Sequence, residues 1–483
     1  MQQKNFGNTR RDFLKRSAGG IVSATTLSLL ASHSALVGAD DHDDDHGHGR
    51  HGGRKQSYGP LARTPDQNGQ EILALPQGFR YVTFSKTGQP LMSGEGPVPR
   101  NHDGMAAFRG PRGTVRLIRN HENRNAPGDR TLGVPHAGTP YDAQANGGTI
   151  TIDFDSQTMR PVREFVSICG THVNCAGGLA YRDAGWLTCE ETTLDARNGF
   201  LQPHGYTFLV PARSNAAVLP VALKAMGRFA KEAAVADERS GIVYQTEDAG
   251  NTSGFYRFVP RDRDDLERGG RLQMLAVSEE PAFTGFIGQT VGKRIRYEWV
   301  DIDNPDPNLA AAEPTCFAQG RAQGGAAFNR LEGVFRGERD RIFFVSTSGG
   351  EAQRGQLWEL DPGHHGKSTL TLVYQSPGSA VLDSPDNICV TPSGAVLFCE
   401  DDASNDADTH PLAPGFANVD RLIGLSRDGM PFEFAVNISS QSEFAGACFS
   451  PDGEILFVNI FGDATPLSGM TCAIKGPWRK GPL

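Results

Sequence analysis

Long apolar segments are missing from this chain of 483 residues. Its one extended apolar stretch, residues 18–37, is diluted by Ser, Thr and Gly, which disfavours a stable membrane span. Basic charge is also in deficit, because 47 Lys and Arg residues face 56 Asp and Glu residues and give a net charge of −9. A nucleic-acid-binding protein would carry a basic patch, so we expect no nucleic-acid partner.

Several familiar catalytic and redox motifs are absent as well. None of the eight cysteines belongs to a C-x-x-C pair, and we predict that most are small buried hydrophobic residues in strands. There is no G-x-S-x-G nucleophile elbow and no H-E-x-x-H zinc helix, which disfavours a serine-triad hydrolase. Residues 363–368 resemble the end of a phosphate-binding loop, but Asp361 occupies the position of its first glycine.

Glycine and proline, by contrast, are plentiful: 58 Gly and 30 Pro accompany 38% hydrophobic residues. This composition suits many short strands joined by tight turns, so we predict an all-β protein. Six apolar strands each run into a short polar loop, and these loops carry carboxylates. The strand-to-loop junctions are residues 115–122, 186–191, 242–248, 342–351, 395–402 and 455–463.

Successive junctions lie roughly 50 to 70 residues apart, with one gap of about 100, which is the spacing of propeller blades. We therefore predict a single six-bladed β-propeller over residues 71–483, with a short helical insertion. The clearest helical stretch is residues 222–233. In a closed ring of blades, equivalent strand ends face one place, so residues far apart in sequence can form one site.

The amino end has the features of an export signal. An Arg10-Arg11 pair is followed by Phe-Leu-Lys at residues 13–15, which is the pattern of twin-arginine leaders. We predict a signal peptide at residues 1–39, recognition by the twin-arginine translocase, and a periplasmic or secreted location. The segment that follows opens with acidic, His-rich sequence without apolar residues, so we predict a disordered linker at residues 40–70.

The densest candidate site lies at residues 170–191. Cys175 stands in a glycine-rich turn and Glu190 and Glu191 follow one hairpin later, so a thiolate and carboxylates could meet. Sulfur favours iron, copper or zinc, whereas an all-oxygen ligand set favours calcium or magnesium. Taken singly, each acid could equally be a solvated turn residue, but a converging set repels itself unless cations neutralise it. Further acids at or near the junctions are Glu122, Glu247, Asp248, Glu332, Asp386, Glu400 and Asp401.

Six short motifs stand at or near these junctions. They are NHE at 120–122, NCAGG at 174–178, TCEE at 188–191, TED at 246–248 with SGFYRF at 253–258, SPDN at 384–387 and CED at 399–401. Together they resemble the PhoX alkaline phosphatase family, with this chain as a short-form member, and the likeness spans residues 79–463. The resemblance implies a six-bladed propeller, an axial centre of ferric iron and calcium, and hydrolysis of phosphate monoesters.

The resemblance also assigns roles to individual positions. Cys175 matches an iron-ligating cysteine, and Glu190 or Glu191 matches a metal-bridging carboxylate. The NHE motif matches the rim of the site. The expected metal ligands are Asn120, His121, Glu122, Cys175, Glu190, Glu191, Glu247, Asp248, Asp386, Glu400 and Asp401.

Glu190, Arg257 and Asp386 are the residues that we expect to act in catalysis. Ser384-Pro385-Asp386 stands where the best-described members of the family have Arg-Pro-Glu, so an arginine suited to holding phosphate is missing there. Arg257 or Arg354 is expected to replace it. The expected reaction is metal-assisted hydrolysis of a small phosphate ester without a protein nucleophile.

Two other functions fit parts of the pattern. A calcium-dependent propeller lactonase or esterase could hold one central ion with Asn120, Asn174 and Asn387. This function leaves Cys175 and the leader without a role. A non-catalytic envelope propeller could use calcium to stiffen its loops. In each case we expect a monomer.

The iron-thiolate hypothesis predicts a coloured protein. We expect purified protein to show an absorption band from an iron-thiolate bond, and we expect Cys175→Ala to lose both the band and hydrolysis of p-nitrophenyl phosphate. Absorption spectra, metal analysis and the assay test this together. A colourless, iron-free but active wild-type enzyme would contradict the hypothesis.

Overall fold

A computed structural model describes residues 57–364, 367–401, 408–462 and 467–483. The predicted signal peptide and the first part of the predicted linker lie outside these residues, so the export signal stays a prediction. Within the described ranges, no helix is long and apolar enough to cross a membrane.

Short antiparallel strands form six sheets around a central axis. The first strands are β1 (Leu61–Pro65), β2 (Glu71–Pro76) and β3 (Arg80–Phe84). Blade one consists of β4 (His102–Arg109), β5 (Val115–His121), β6 (Gly147–Asp155) and β7 (Arg160–Thr171). Blade two consists of β8 (Asn174–Leu179), β9 (Gly185–Glu190) and β10 (Thr207–Pro211). Blade three consists of β11 (Lys231–Ala236), β12 (Val243–Glu247), β13 (Phe255–Pro260), β14 (Gly270–Val277) and, after β15 (Arg294–Ile295), β16 (Tyr297–Asp301).

A short helix, α1 (Cys316–Ala322), precedes the second half of the ring. Blade four consists of β17 (Leu331–Arg336), β18 (Ile342–Ser346), β19 (Gln356–Asp361) and β20 (Thr369–Gln375), with β15 at its outer edge. Blade five contains β21 (Pro385–Val390), β22 (Val396–Glu400), β23 (Arg421–Leu425) and β24 (Pro431–Asn437). Blade six contains β25 (Phe444–Phe449), β26 (Ile455–Ile460) and β27 (Met470–Lys475).

The innermost strands close a ring. In order round the axis they are β4, β8, β11, β17, β21 and β25, and each contacts the next, with β25 meeting β4. Strand β3 pairs with β27 as the outer strand of blade six, and β2 pairs with β24 in blade five, with β1 outside it. Because strands from the start of the domain complete the last two blades, opening the ring requires breaking these sheets.

The prediction of an all-β, six-bladed propeller is confirmed. The six strands at the predicted junctions form the second strand of each blade, and these strands are β5, β9, β12, β18, β22 and β26. Their apolar side chains pack between neighbouring sheets. Phe255 of blade three and Phe344 of blade four, for example, stack with ring centroids 4.3 Å apart.

The predicted helix at residues 222–233 is wrong. The chain forms a short 3-10 turn at Lys224–Met226, leaves it at Gly227 with a φ of 97°, and enters β11. Strand β11 lies between two other innermost strands and all of its residues are buried, so sheet pairing overrides the local helix propensity of an Ala-rich segment. The short helix of the fold is α1, which begins after Thr315, whose side chain accepts a hydrogen bond from the backbone N–H of Ala318.

The ordered sheets begin before residue 71, the predicted start of the propeller. Strand β1 falls inside the segment that the sequence predicts to be a linker, and it pairs with β2 from Leu61 opposite Pro76. The sequence does not reveal this strand, because β1 lies at the edge of its sheet and its residues are exposed or half-buried.

Gly178 in β8 tests how tightly the innermost strands pack. A methyl group at this position would lie 1.9 Å from the carbonyl oxygen of Ala234 in β11. We expect Gly178→Ala to lower the free energy of unfolding by about 1–3 kcal/mol, as overpacking does. Urea denaturation measures this change. The control is Gly378→Ala, since a methyl group there meets no atom within 4 Å, and equal effects of the two variants would contradict the packing argument.

Candidate metal centre

A β-bulge recurs at one register in the innermost strand of every blade. In each blade two consecutive residues of this strand have no separate partners in the second strand, as between His102 and Met105 of β4. Such a bulge turns the side chain of its first residue out of the regular alternation of the strand. The first residues of the bulges are Asp103, Cys175, Glu232, Glu332, Asp386 and Gly446. Five of the six can therefore offer a metal ligand to the axis.

A second set of acids follows the second strands. Glu122, Glu191, Asp248 and Asp401 each come directly after the last residue of that strand. Their backbone N–H groups donate to carbonyl groups that precede the innermost strands, with N–O distances of 2.9 to 3.1 Å. These bonds hold the second set of acids beside the bulges.

Residues from both sets, together with Glu443, form four linked groups of three residues. Within each group the possible ligand atoms all lie within 4.8 Å of one another. Cys175, Glu232 and Asp386 each belong to two groups, so the groups form one continuous chain across the axis. The groups are Asp103, Glu122 and Cys175; Cys175, Glu191 and Glu232; Glu232, Glu332 and Asp386; and Asp386, Asp401 and Glu443.

The thiol of Cys175 joins the first two groups. Its Sγ atom lies 3.1 Å from Oε1 of Glu232 and 3.5 Å from Oδ2 of Asp103. All three side chains are at least 99% buried. A buried thiol between two carboxylates is the mixed sulfur and oxygen ligand set that suits a transition metal.

Two arginines contact these acids among the described ion pairs. Arg124 pairs with both Glu122 and Glu191, the latter at 2.5 Å. Arg330 pairs with Glu332 at 2.5 Å and lies 3.6 Å from Asp401. Eight carboxylates in the four groups far exceed these two guanidinium groups in charge. Since buried like charges are expensive without neutralisation, the arrangement fits bound cations.

Five of the residues predicted as metal ligands belong to the four groups. They are Glu122, Cys175, Glu191, Asp386 and Asp401. Asp248 lies nearby, with Oδ2 3.5 Å from Nε of Arg330. The remaining predicted residues have other hydrogen-bond partners.

Glu190 belongs to none of the four groups. Its carboxylate accepts hydrogen bonds from the backbone N–H groups of His172, Gly205 and Tyr206 and from Nδ1 of His204. These bonds join the segments on both sides of the hairpin that carries Cys175 and Glu191. Glu190 therefore links parts of the fold, whereas its neighbour Glu191 is the member of the pair that belongs to one of the four groups.

Asn120 and His121 make hydrogen bonds to neighbouring protein groups. The amide nitrogen of Asn120 donates to the carbonyl groups of Cys175 and Ala176 at 2.9 and 2.8 Å, which fixes the bulge of β8. His121 lies against Arg119, whose Nε is 3.3 Å from Nε2 of the imidazole. Burial and this guanidinium lower the pKa of His121 well below its usual range, so the ring is a neutral hydrogen-bond acceptor.

Three more predicted residues are engaged inside their own blades. The Glu247 carboxylate accepts from Tyr256 Oη at 2.6 Å, and burial raises its pKa to about 7. Glu400 pairs with Arg421 at 2.7 Å, and burial likewise raises its pKa to about 7. Arg257 donates to Gln273 and lies over the Trp299 ring, in the third strand of blade three.

Sequence reasoning missed Asp103, Glu232 and Glu443, and it noted Glu332 without assigning a role. Three of these acids, Asp103, Glu232 and Glu332, are the first residues of bulges. Each of the three is followed by Gly or Ala in the sequence. An acid before a small residue, one hairpin ahead of each apolar strand, was the available signal.

Comparisons with known proteins were consistent with this architecture. The family model described as alkaline phosphatase PhoX matches residues 56–162 and 155–463. A structure of Pseudomonas fluorescens PhoX in complex with vanadate, a transition state analogue, is 18% identical, with a TM-score of 0.62, and the match covers 89% of this chain and 99% of that chain. A comparison with curated proteins gave no match.

Two further solved structures share less of the fold. A Dyadobacter fermentans protein of unknown function is 10% identical with a TM-score of 0.40, covering 83% of this chain and all of that chain. The periplasmic gluconolactonase PpgL of Pseudomonas aeruginosa is 12% identical with a TM-score of 0.34, covering 71% of this chain and 86% of that chain. Similarities this low carry no argument about function.

Glu232 and Glu247 provide a matched test of the centre, because both are buried acids of blade three. We expect Glu232→Gln to weaken metal retention by at least the roughly 10–100-fold that is typical of residues around a metal site. Glu247→Gln should leave it unchanged, since the neutral form of Glu247 is already populated near pH 7. Elemental analysis after competition with a chelator measures both. Equal metal loss in the two variants would show that Glu232 is not a ligand.

Proposed function

The chain belongs to the PhoX alkaline phosphatase family, and from this premise we propose that it is a metal-dependent phosphomonoesterase whose metals bind the four linked acid groups. The observation that carries the proposal is the convergence of eight carboxylates and one thiol, contributed by all six blades, on the propeller axis. We propose small phosphate esters outside the cytoplasm as substrates, in line with the twin-arginine pattern of the leader.

The ligand types differ along the chain of groups. The two groups that share Cys175 combine sulfur with oxygen and suit ferric iron, with Asp103, Glu122, Glu191 and Glu232 as oxygen ligands. The other two groups offer carboxylate oxygen alone and suit calcium; their acids are Glu232, Glu332, Asp386, Asp401 and Glu443. When bound, such cations supply charge neutralisation at a phosphoryl group and activation of an oxygen nucleophile.

The chain's own residues hold this arrangement rigid. Asn120 fixes the bulge that carries Cys175, and Glu190 ties together the segments around Glu191. Both side chains are fully buried, so their hydrogen bonds do not compete with water. A ligand set that is already in place needs little reorganisation when substrate binds, which favours catalysis.

The buried thiol favours a phosphatase with a transition metal over a calcium-only lactonase or a calcium-stabilised binding propeller. Cys175 contacts acids from two neighbouring blades at hydrogen-bond distance, and calcium makes no use of a thiolate. The functional test distinguishes the lactonase and the binding propeller from the phosphatase.

Metal removal is the direct test of the proposed function. Protein exported by its own leader should hydrolyse p-nitrophenyl phosphate, and a chelator used with a reductant should abolish this activity. Restoring iron together with calcium should recover it, because the two halves of the centre differ in ligand chemistry. Elemental analysis accompanies each assay.

Other results would identify a different protein. Activity that returns with calcium alone would exclude the iron assignment. Lactone hydrolysis without phosphatase activity would favour the lactonase, and a calcium-loaded protein without hydrolysis of either substrate would favour a binding propeller.

A further inference from the structure

Two loops of neighbouring blades meet on the side of the ring that holds the four groups. The loop of blade one connects β5 to β6 over residues 122–146, and the loop of blade two connects β9 to β10 over residues 191–206. Each loop begins with an acid of the centre, Glu122 in the first and Glu191 in the second. The two groups that share Cys175 take four of their five residues from these two blades. The relative position of the loops therefore bears directly on the sulfur-containing half of the centre.

His204 of the blade-two loop joins the two loops. Its Nδ1 donates to Oε1 of Glu190 at 2.7 Å, since an ionised carboxylate can only accept. Its Nε2 lies 3.6 Å from Oδ2 of Asp142 in the blade-one loop and has no hydrogen-bond partner among the described residues. All three residues are at least 99% buried. We call this set of Glu190, His204 and Asp142 the interblade clamp.

The clamp holds compensated charge inside the protein. Burial opposes a charge on His204, but Glu190 and Asp142 raise its pKa to about 9. The ring is therefore an imidazolium near neutral pH, shared by one carboxylate of each blade. Aromatic rings enclose it, since the centroids of Tyr141 and Phe200 lie 5.6 and 4.9 Å from that of His204. Removing one member of such a buried set leaves the others without their partner, which is costly.

The blade-one end of the clamp also holds the backbone of the blade-two loop. The Oδ2 atom of Asp142 accepts from the N–H groups of Leu201 and Gln202 at 2.6 and 2.7 Å. Next to it, Tyr141 Oη donates to the carbonyl group of Pro203 at 2.8 Å. Together with the imidazole, these bonds join the two loops at four consecutive residues.

The same two loops are joined a second time beside the acid groups. Arg124 of the blade-one loop pairs with Glu122 and, at 2.5 Å, with Glu191. The Arg124 side chain is one-third exposed, so water competes for its bonds, whereas the clamp is enclosed. The clamp is therefore the firmer of the two connections.

We propose that His204 is a positioning residue for the half of the centre that contains Cys175, an inference that rests on the metal centre and the phosphatase function proposed above. By holding the two loops together, the imidazole keeps Glu122 and Glu191 where they can share a transition-metal ion with the thiol. Residues that orient metal ligands in this way typically contribute about 10–100-fold to metal affinity or activity. The two all-oxygen groups take their ligands from blades three to six, so their affinity for calcium should not depend on the clamp.

The experiment compares iron with calcium in one protein. Wild-type and His204→Gln protein, each exported by its own leader, are incubated with graded concentrations of EDTA, and both metals are measured by elemental analysis. We expect the EDTA concentration that removes half of the iron to fall about 10- to 100-fold in His204→Gln, with calcium retained as in wild type. The iron-thiolate absorption band should shift and kcat for p-nitrophenyl phosphate should fall, because Glu191 is displaced from Cys175.

Two further variants complete the comparison. His364→Gln is a matched control, since His364 forms another His–Asp pair between neighbouring blades, with Nε2 2.6 Å from Oδ2 of Asp237. Neither residue belongs to the four groups, so this variant should keep wild-type iron retention. Asp142→Asn removes a charge from the other end of the clamp and carries the test if His204→Gln does not fold. It should show the same selective loss of iron.

Any of three results would overturn the inference. The first is wild-type iron retention with an unshifted band in both clamp variants. The second is an equal loss of iron and calcium from them, which would make the clamp a support of the whole fold. The third is an iron-free wild-type protein, because His204 would then have no such metal to help retain. A wild-type protein that holds iron but hydrolyses no phosphate ester would contradict the proposed function alone, and the iron measurements would still test His204.

Discussion

Each of the six innermost strands contains a two-residue β-bulge. These bulges determine which side chains can meet at the axis of the propeller. Regular alternation would send every second side chain of these strands into the packing between blades. The bulge instead turns its first residue out of this alternation, and it occurs at the same register in each blade. Acids as far apart in sequence as Glu232 and Asp386 thereby come within 4.8 Å of one another.

The second residue of each bulge contacts an apolar cavity. These six residues line an apolar cavity of about 210 Å³ on the axis, next to the acid groups; they are Gly104, Ala176, Ala233, Gly333, Asn387 and Ala447. Five of the six are Gly or Ala, and space is tight, since a methyl group on Gly104 would lie 2.6 Å from Cα of Ala176. The same two-residue irregularity therefore produces a charged surface on one side and an apolar one on the other. An apolar neighbour offers no compensation for the carboxylates, which increases the need for cations.

The sequence predicted the part of this arrangement that follows apolar strands. The second strand of each blade is an apolar run, so Glu122, Glu191 and Asp401 were found at its end. The innermost strands are short, and several of them, such as Lys231–Ala236, are rich in Gly and Ala and lack the apolar pattern that marks a strand. Their bulge acids, Asp103 and Glu232, were missed for this reason. The same Ala-rich composition produced the incorrect helix.

The sequence could not predict the direction in which an acidic side chain points. Glu190 and Glu191 are adjacent and chemically alike, and their roles separate through partners such as His204 and Gly205 on a loop that follows later in the chain. Likewise, Arg257 stands in a predicted motif but its side chain donates to Gln273, whereas Arg330 stands in none of the predicted motifs and its side chain pairs with Glu332. Side-chain direction at such positions is decided by tertiary contacts.

Among the described residues, the four groups form a line and not a closed ring, and the sixth blade is the reason. Its bulge begins with Gly446, where a methyl group would lie 2.5 Å from the carbonyl oxygen of Asp103, so no ligand side chain fits there. Blade six contributes Glu443 instead, and that acid joins Asp386 and Asp401 at one end. The thiol lies toward the other end, beside Asp103. A closed ring of six like acids would give equivalent positions to every cation, whereas a line with sulfur near one end and oxygen alone at the other gives unlike cations separate positions.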